Sequence, residues 1–170
     1  MPAPPSVAAR ATAGAAAAAV SIAVSELLTG LLGAGSSLVE AIGELIIDIS
    51  PEPVTRFAIA VFGLYDKLAL IVGIVVVSLA LGAVLGILSS RASWVPMVGF
   101  AAFGAFGAYA GSTHPDLSTG LSVFVASISA IAGLVVLGRL LGLVTPKVRR
   151  AVGDAEEGAP SPERRALLVG

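Results

Sequence analysis

Long runs of apolar residues separated by short polar stretches dominate the chain, at residues 11–33, 68–88, 94–111 and 121–144. Each run approaches the ~20 residues an α-helix needs to cross ~30 Å of hydrocarbon. The pattern predicts an all-α polytopic membrane protein with four transmembrane helices. Asp66 stands where an N-cap would open the second run, and Pro146 closes the fourth. The first run is too long for a clean signal peptide and lacks an early small-residue cleavage site in a polar context, so it reads as a span, with cleavage among its alanines as the alternative.

The segment between the first two runs has a different period. Ser37-Leu38-Val39-Glu40 is a capping-box pattern, and Leu38, Ile42, Leu45, Ile46 and Ile49 follow at helical spacing. Glu40, Glu44 and Asp48 fall at i, i+4 and i+8 and form one acidic stripe. Ser50-Pro51 restarts a helix, Val54, Phe57, Ala58, Val61 and Phe62 give it an apolar face, and Gly63 stops it. Residues 37–63 therefore read as two short amphipathic helices lying at the membrane interface. A fifth crossing here would bury three acids, each at ~2.5–3.5 kcal/mol near mid-membrane.

Charge sets an expected orientation. Arg10, Arg91, Lys147, Arg149, Arg150, Arg164 and Arg165 fall on one side. The other side has only Arg56 and Lys67, among Glu40, Glu44, Asp48, Glu52, Asp66 and Asp116. The excess of basic residues assigns the first side, with both termini, to the cytoplasm of a multi-pass protein in the cell membrane. Residues 1–10 are then a cytoplasmic segment, 11–144 the membrane domain and 145–170 a cytoplasmic linker. Ser161-Pro162-Glu163 at the end of that linker reads as a helix start, either a frayed tail or the opening of a fifth helix.

Composition narrows the chemistry. The chain is 56% hydrophobic and 12% charged, about half the charged share of a soluble domain. A net charge of −1 gives no basic surface for nucleic acid. With no cysteine there is no disulfide, zinc ribbon, iron–sulfur cluster or thiolate nucleophile. The one histidine, His114, cannot form a pair of axial haem ligands. No Ser/His/Asp set, phosphate loop or metal cluster is present, so no catalytic residue is assigned. No broken helix or repeat points to a transporter.

Glu26 is the one carboxylate well inside an apolar run, and an intramembrane acid is a functional candidate. It shares a helix face with Thr29, Gly30 and Gly33, which predicts that it points into the bundle. Its role is open between a proton or quinol contact and a structural hydrogen bond or ion pair with Lys67 or Arg56. Arg139 belongs near the opposite end and reads as snorkelling to the headgroups. Glu40, Glu44 and Asp48 form either an outer docking face or a merely solvated helix face. His114, in the outer loop 112–118, reads as a solvated side chain. Small residues at four-residue spacing predict close helix contacts, within a compact bundle or between copies in an oligomer: Ser78/Gly82/Gly86, Gly107/Gly111, Ser122/Ala126/Ala130 and Gly138/Gly142. Phe100, Phe103 and Phe106 read as lipid-facing or as bundle filling.

A family pattern runs through Ser25-Glu26-Leu27, Gly33-Ala34-Gly35-Ser36-Ser37 and the run from Ala41 through Gly43-Glu44-Leu45 to Asp48. It continues through Pro51-x-Pro53-Val54, Phe57-Ala58-Ile59-Ala60-x-Phe62-Gly63 and Asp66-Lys67-Leu68. This order resembles the N-terminal membrane region of actinobacterial molybdopterin-dependent oxidoreductases of the sulfite oxidase family, most densely over 26–68. The resemblance implies a membrane anchor ahead of an extracytoplasmic molybdenum domain. It further implies that Arg164-Arg165 is a twin-arginine element before a last anchor helix, the alternative being a basic pair that anchors the tail at the inner leaflet. The family's molybdenum is held by a cysteine thiolate in the soluble domain, which this chain lacks. The resemblance therefore carries over no catalytic residue. It places the molybdopterin in a missing or partner domain, joined in cis or in trans, and makes this chain the anchor that tethers it and helps pass electrons to a membrane acceptor. The alternatives are a stand-alone structural or interaction subunit and, further off, a small transporter.

Overall fold

The structure, a computed structural model, describes residues 6–53, 56, 66–92 and 94–144. Among these the elements are all helical: α1 (Val7–Leu31), α2 (Leu38–Ile49), α3 (Asp66–Leu88), α4 (Val95–Thr113) and α5 (Thr119–Val144). All but α2 are long and apolar enough to cross a membrane. The tail 145–170, with Arg164 and Arg165 and the expected fifth helix, lies outside the described residues. So does most of the second expected interfacial helix, of which Pro51–Pro53 and Arg56 are described.

Local signals set the helix ends. Ser6 accepts a hydrogen bond from the Ala9 amide at 3.2 Å, so α1 starts at Val7, earlier than its apolar run. Residues 7–10, expected to be a cytoplasmic extension, are the first turn of that helix. At its other end Gly33 takes a φ of 65°, a backbone that side chains disfavour. The Gly33 amide reaches the Gly30 carbonyl and the Ala34 amide the Thr29 carbonyl, at 3.3 and 3.0 Å, closing α1 with a Schellman motif. Ser37 caps α2 by accepting from the Glu40 amide at 3.0 Å, as the capping-box pattern predicts. Pro96 stands in the first turn of α4, where its missing N–H costs nothing.

Helix α1 is the centre of the bundle, packed antiparallel between α3 and α5. Helix α4 runs antiparallel to α5 on the far side. The α1–α3 seam is built from glycine. A Cβ placed on Gly14 would run into the Gly82 carbonyl, and one on Gly86 into the Arg10 carbonyl. Only hydrogen at these positions lets the backbones approach so closely. Gly133 is likewise closed by Phe100 and the Ala17 carbonyl, and Gly99 by Leu85. Ala13, Ala17, Phe100 and Leu137 form the core of this half.

The other half is built differently. Few direct contacts join α3 to α4, and α2 lies against both. Leu38 reaches Gly111, Ile42 reaches Gly107, and Leu70 and Ile74 close on Gly43. Leu38, Val39, Ala41, Ile42 and Gly43 are all buried. The first half of α2 is therefore embedded among the long helices, which corrects the picture of a helix resting wholly on a surface. Its apolar residues face the bundle because the space between α3 and α4 is there to be filled. Only its last turns, with Glu44, Ile47, Asp48 and Ile49, are exposed.

Candidate functional site

The polar side chains inside the bundle collect in the α2 half. Along α1 the buried face changes from Ala13, Gly14, Ala17 and Ala18 to Ser21, Ser25 and Thr29. In an apolar interior a hydroxyl must find an acceptor. Ser25 donates to the Ile22 carbonyl at 2.9 Å, and Thr29 to the Ser25 carbonyl at 2.9 Å. Ser21 donates across to the Ser129 carbonyl of α5 at 2.6 Å. This bond ties the two helices together at mid-bundle.

Beside these residues lies a cavity of about 40 Å³ lined by side chains from all five helices. Ser21 and Ser25 line it from α1, Ile42 from α2, Ser78 from α3, Phe100 from α4 and Ser129 from α5. Its lining carries no charge. A pocket for a drug-sized or quinone-like ligand has roughly 300–1,000 Å³, so this cavity is too small for one by about an order of magnitude.

Above the cavity, His114 holds α2 in place. Its side chain is only 5% exposed, and Nε2 lies 3.0 Å from Oε2 of Glu44. The Asp116 amide donates to Nδ1 at 3.2 Å. Because Nδ1 accepts, the ring proton sits on Nε2 and points at the carboxylate. This corrects the expectation of a solvated loop histidine. The turn 114–117, closed by the Leu117 amide on the His114 carbonyl at 3.3 Å, folds over the bundle end, and α2 covers it.

The other sequence candidates are dispersed. Glu26 is exposed on the outer face of α1, while Ser25 and Thr29 face inward. The expectation that it points into the bundle is therefore overturned. The face it shares with Gly30 looks outward, since helical spacing marks a common face but not its direction. An upright, centred α1 puts Glu26 about 4 Å inside the hydrocarbon edge, within reach of headgroup water. Arg56 pairs with Glu52 one turn away, both largely exposed. Of Lys67 only the helical backbone is described. Arg139 is exposed. Taking the level of Glu26 from the Ser21–Ser129 pairing, Arg139 lies about 22 Å further along the bundle.

The acidic stripe divides: Glu40 is half-buried beside the cap, Glu44 is tied to His114, and Asp48 is exposed. Of the small-residue stripes, Gly82/Gly86, Gly107/Gly111 and Ala126/Ala130 meet other helices. Among the described residues Gly138 and Gly142 meet nothing within 4 Å, and both are exposed, so this stripe makes no contact within the bundle. Phe100 fills the bundle and Phe106 is exposed.

Sequence reasoning missed the inward hydroxyls and the His114–Glu44 pair. The i, i+4, i+8 spacing of Ser21, Ser25 and Thr29 was the available signal for the first. The second joins residues 70 positions apart and has no local signature. Among the described residues no group of three His, Asp or Glu side chains is placed to hold a metal. The chain also has no thiolate to bind molybdenum, so the residues present do not fit that cofactor. No protein-family model, curated protein or solved structure matches the chain.

Proposed function

We propose that this chain is a membrane anchor. It tethers an extracytoplasmic molybdopterin-dependent oxidoreductase domain of the sulfite oxidase kind, held in cis or in trans. The observation that carries this reading is the fixing of α2. Its first half is buried among the long helices and its middle is tied to His114. A short helix fixed at both points presents Asp48 and Ile49 on a firm base. A tether needs such a platform, and the family resemblance is densest over the same segment. The Lys/Arg distribution assigns the α2 end to the outer face and both termini to the cytoplasm.

Tethering, rather than electron transfer, is the role supported. Glu26 stands apart from the cavity, and the cavity is too small for a quinone ring. The lipid bilayer is the second partner, met by the exposed Val72, Val76, Leu81, Val123, Ile131 and Val135.

The test is molybdenum content. The chain, purified from its native membranes in mild detergent, is expected to carry close to one molybdenum per copy. An intact, folded chain with no molybdenum overturns the oxidoreductase assignment. The reading that would then stand is a structural or interaction subunit. One observation favours it: Ala16, Ala19, Ala23 and Gly30 are exposed along one side of α1, where small residues admit another helix.

A further inference from the structure

We propose that the cavity beneath α2 is an internal hydration site, occupied by a small cluster of water that bridges α1, α3 and α5. The first observation is volume: about 40 Å³ exceeds the roughly 10–15 Å³ needed to admit water. The second is an orphaned hydroxyl. Ser129 is 5% exposed and lines the cavity, and its Oγ has no hydrogen-bond partner among the described residues. Ser78, 4% exposed on the facing wall, makes no hydrogen bond to a described residue. Ser21 and Ser25 each donate to a carbonyl and keep their oxygen lone pairs for a donor in the cavity.

Chemistry selects water over other occupants. A buried hydroxyl without a partner carries a desolvation penalty that a bridging water removes. A bare cation would find no lining charge to compensate it. An apolar ligand would leave the serines unpartnered. Water also explains why hydroxyls from three helices converge where the glycine seam ends. The bridging bonds replace the direct packing that holds the other half, and they can exchange partners without separating the helices.

The competing arrangement is a dry cavity in which Ser129 turns back to the carbonyl of its own helix. Water-edited solid-state NMR of the full chain in lipid bilayers separates the two. Magnetisation from water is expected at the Cβ of Ser129 and Ser78 while Ala13 and Ala17 are still silent. Equal silence at Ser129 and Ala17 overturns the proposal. A second measurement uses the absence of cysteine, which makes Ser129→Cys a single-thiol variant. Its S–H stretch is expected to shift to S–D in deuterated buffer, and a thiol that keeps its proton overturns the site. Xenon-induced shifts at Ile42 and Phe100 in the unaltered protein would mark a dry apolar void and overturn it independently.

Discussion

The two ends of this bundle solve one packing problem in different ways. Where α1 meets α3 near Gly14, Gly82 and Gly86, the backbones come together with only the Ala18 methyl beside them. Where α2 enters, the long helices spread and the space is filled by Leu38, Ile42, a cavity and a set of hydroxyls. In lipid the hydrophobic effect does not hold helices together, because the tails are as apolar as leucine. Dispersion contacts and hydrogen bonds remain. The glycine end uses the first and tolerates no added atom. The α2 end uses the second, through Ser21 to Ser129 and Glu44 to His114, and leaves room. The difference teaches that one chain can seal one end of a bundle and keep the other adjustable.

The sharpest way to break the comparison is to add atoms at the sealed end. Gly14→Val places a side chain against the Gly82 carbonyl and is expected to destabilise the fold by about 3 kcal/mol, read by denaturation in detergent. Gly30→Ala, which meets nothing within 4 Å, is expected to move stability by less than about 1 kcal/mol, in the stabilising direction. Equal losses from the two changes would remove the distinction.

At the α2 end, Ile42→Ala deletes a buried side chain that reaches Gly107. Its expected cost is about 2 kcal/mol, with faster amide exchange across α2 and none at Ala13–Ala18. His114→Ala strands the Asp116 amide and releases Glu44, for about 1–2 kcal/mol. Proteolysis near Ser50 is expected to rise with it, whereas the α1–α3 seam is expected to stay closed to crosslinking reagents. Glu26→Gln is the smallest effect, below about 0.5 kcal/mol, because an exposed side chain with no partner among the described residues has little to lose. A large loss from Glu26→Gln would restore the carboxylate to the bundle interior.

The spans themselves were legible because each is a long apolar run, and length against bilayer thickness decides such cases. The capping box at Ser37 and the span between Val95 and Thr113 were legible from local residues alone. Which face of a span looks inward was not. The long helices are apolar nearly all round, so no polar stripe marks the solvent side. Glu26 was turned the wrong way for that reason, although Ser21, Ser25 and Thr29 on α1 mark the inward face. Gly138 and Gly142 share the four-residue spacing of Gly82 and Gly86, but among the described residues no helix passes there to use it. The embedding of α2 was hidden as well. Amphipathic spacing is the same for a helix on a membrane surface and for one wedged between α3 and α4.

The most direct test of the two-ended account is residue-resolved amide exchange of the full chain in lipid nanodiscs. Leu38–Gly43 are predicted to exchange slowly, as part of the bundle, and Ser21–Thr29 faster than Ala13–Ala18 along the same helix. Rapid exchange throughout α2, with uniform protection along α1, would contradict it: α2 would then rest on the surface and the two ends would be packed alike.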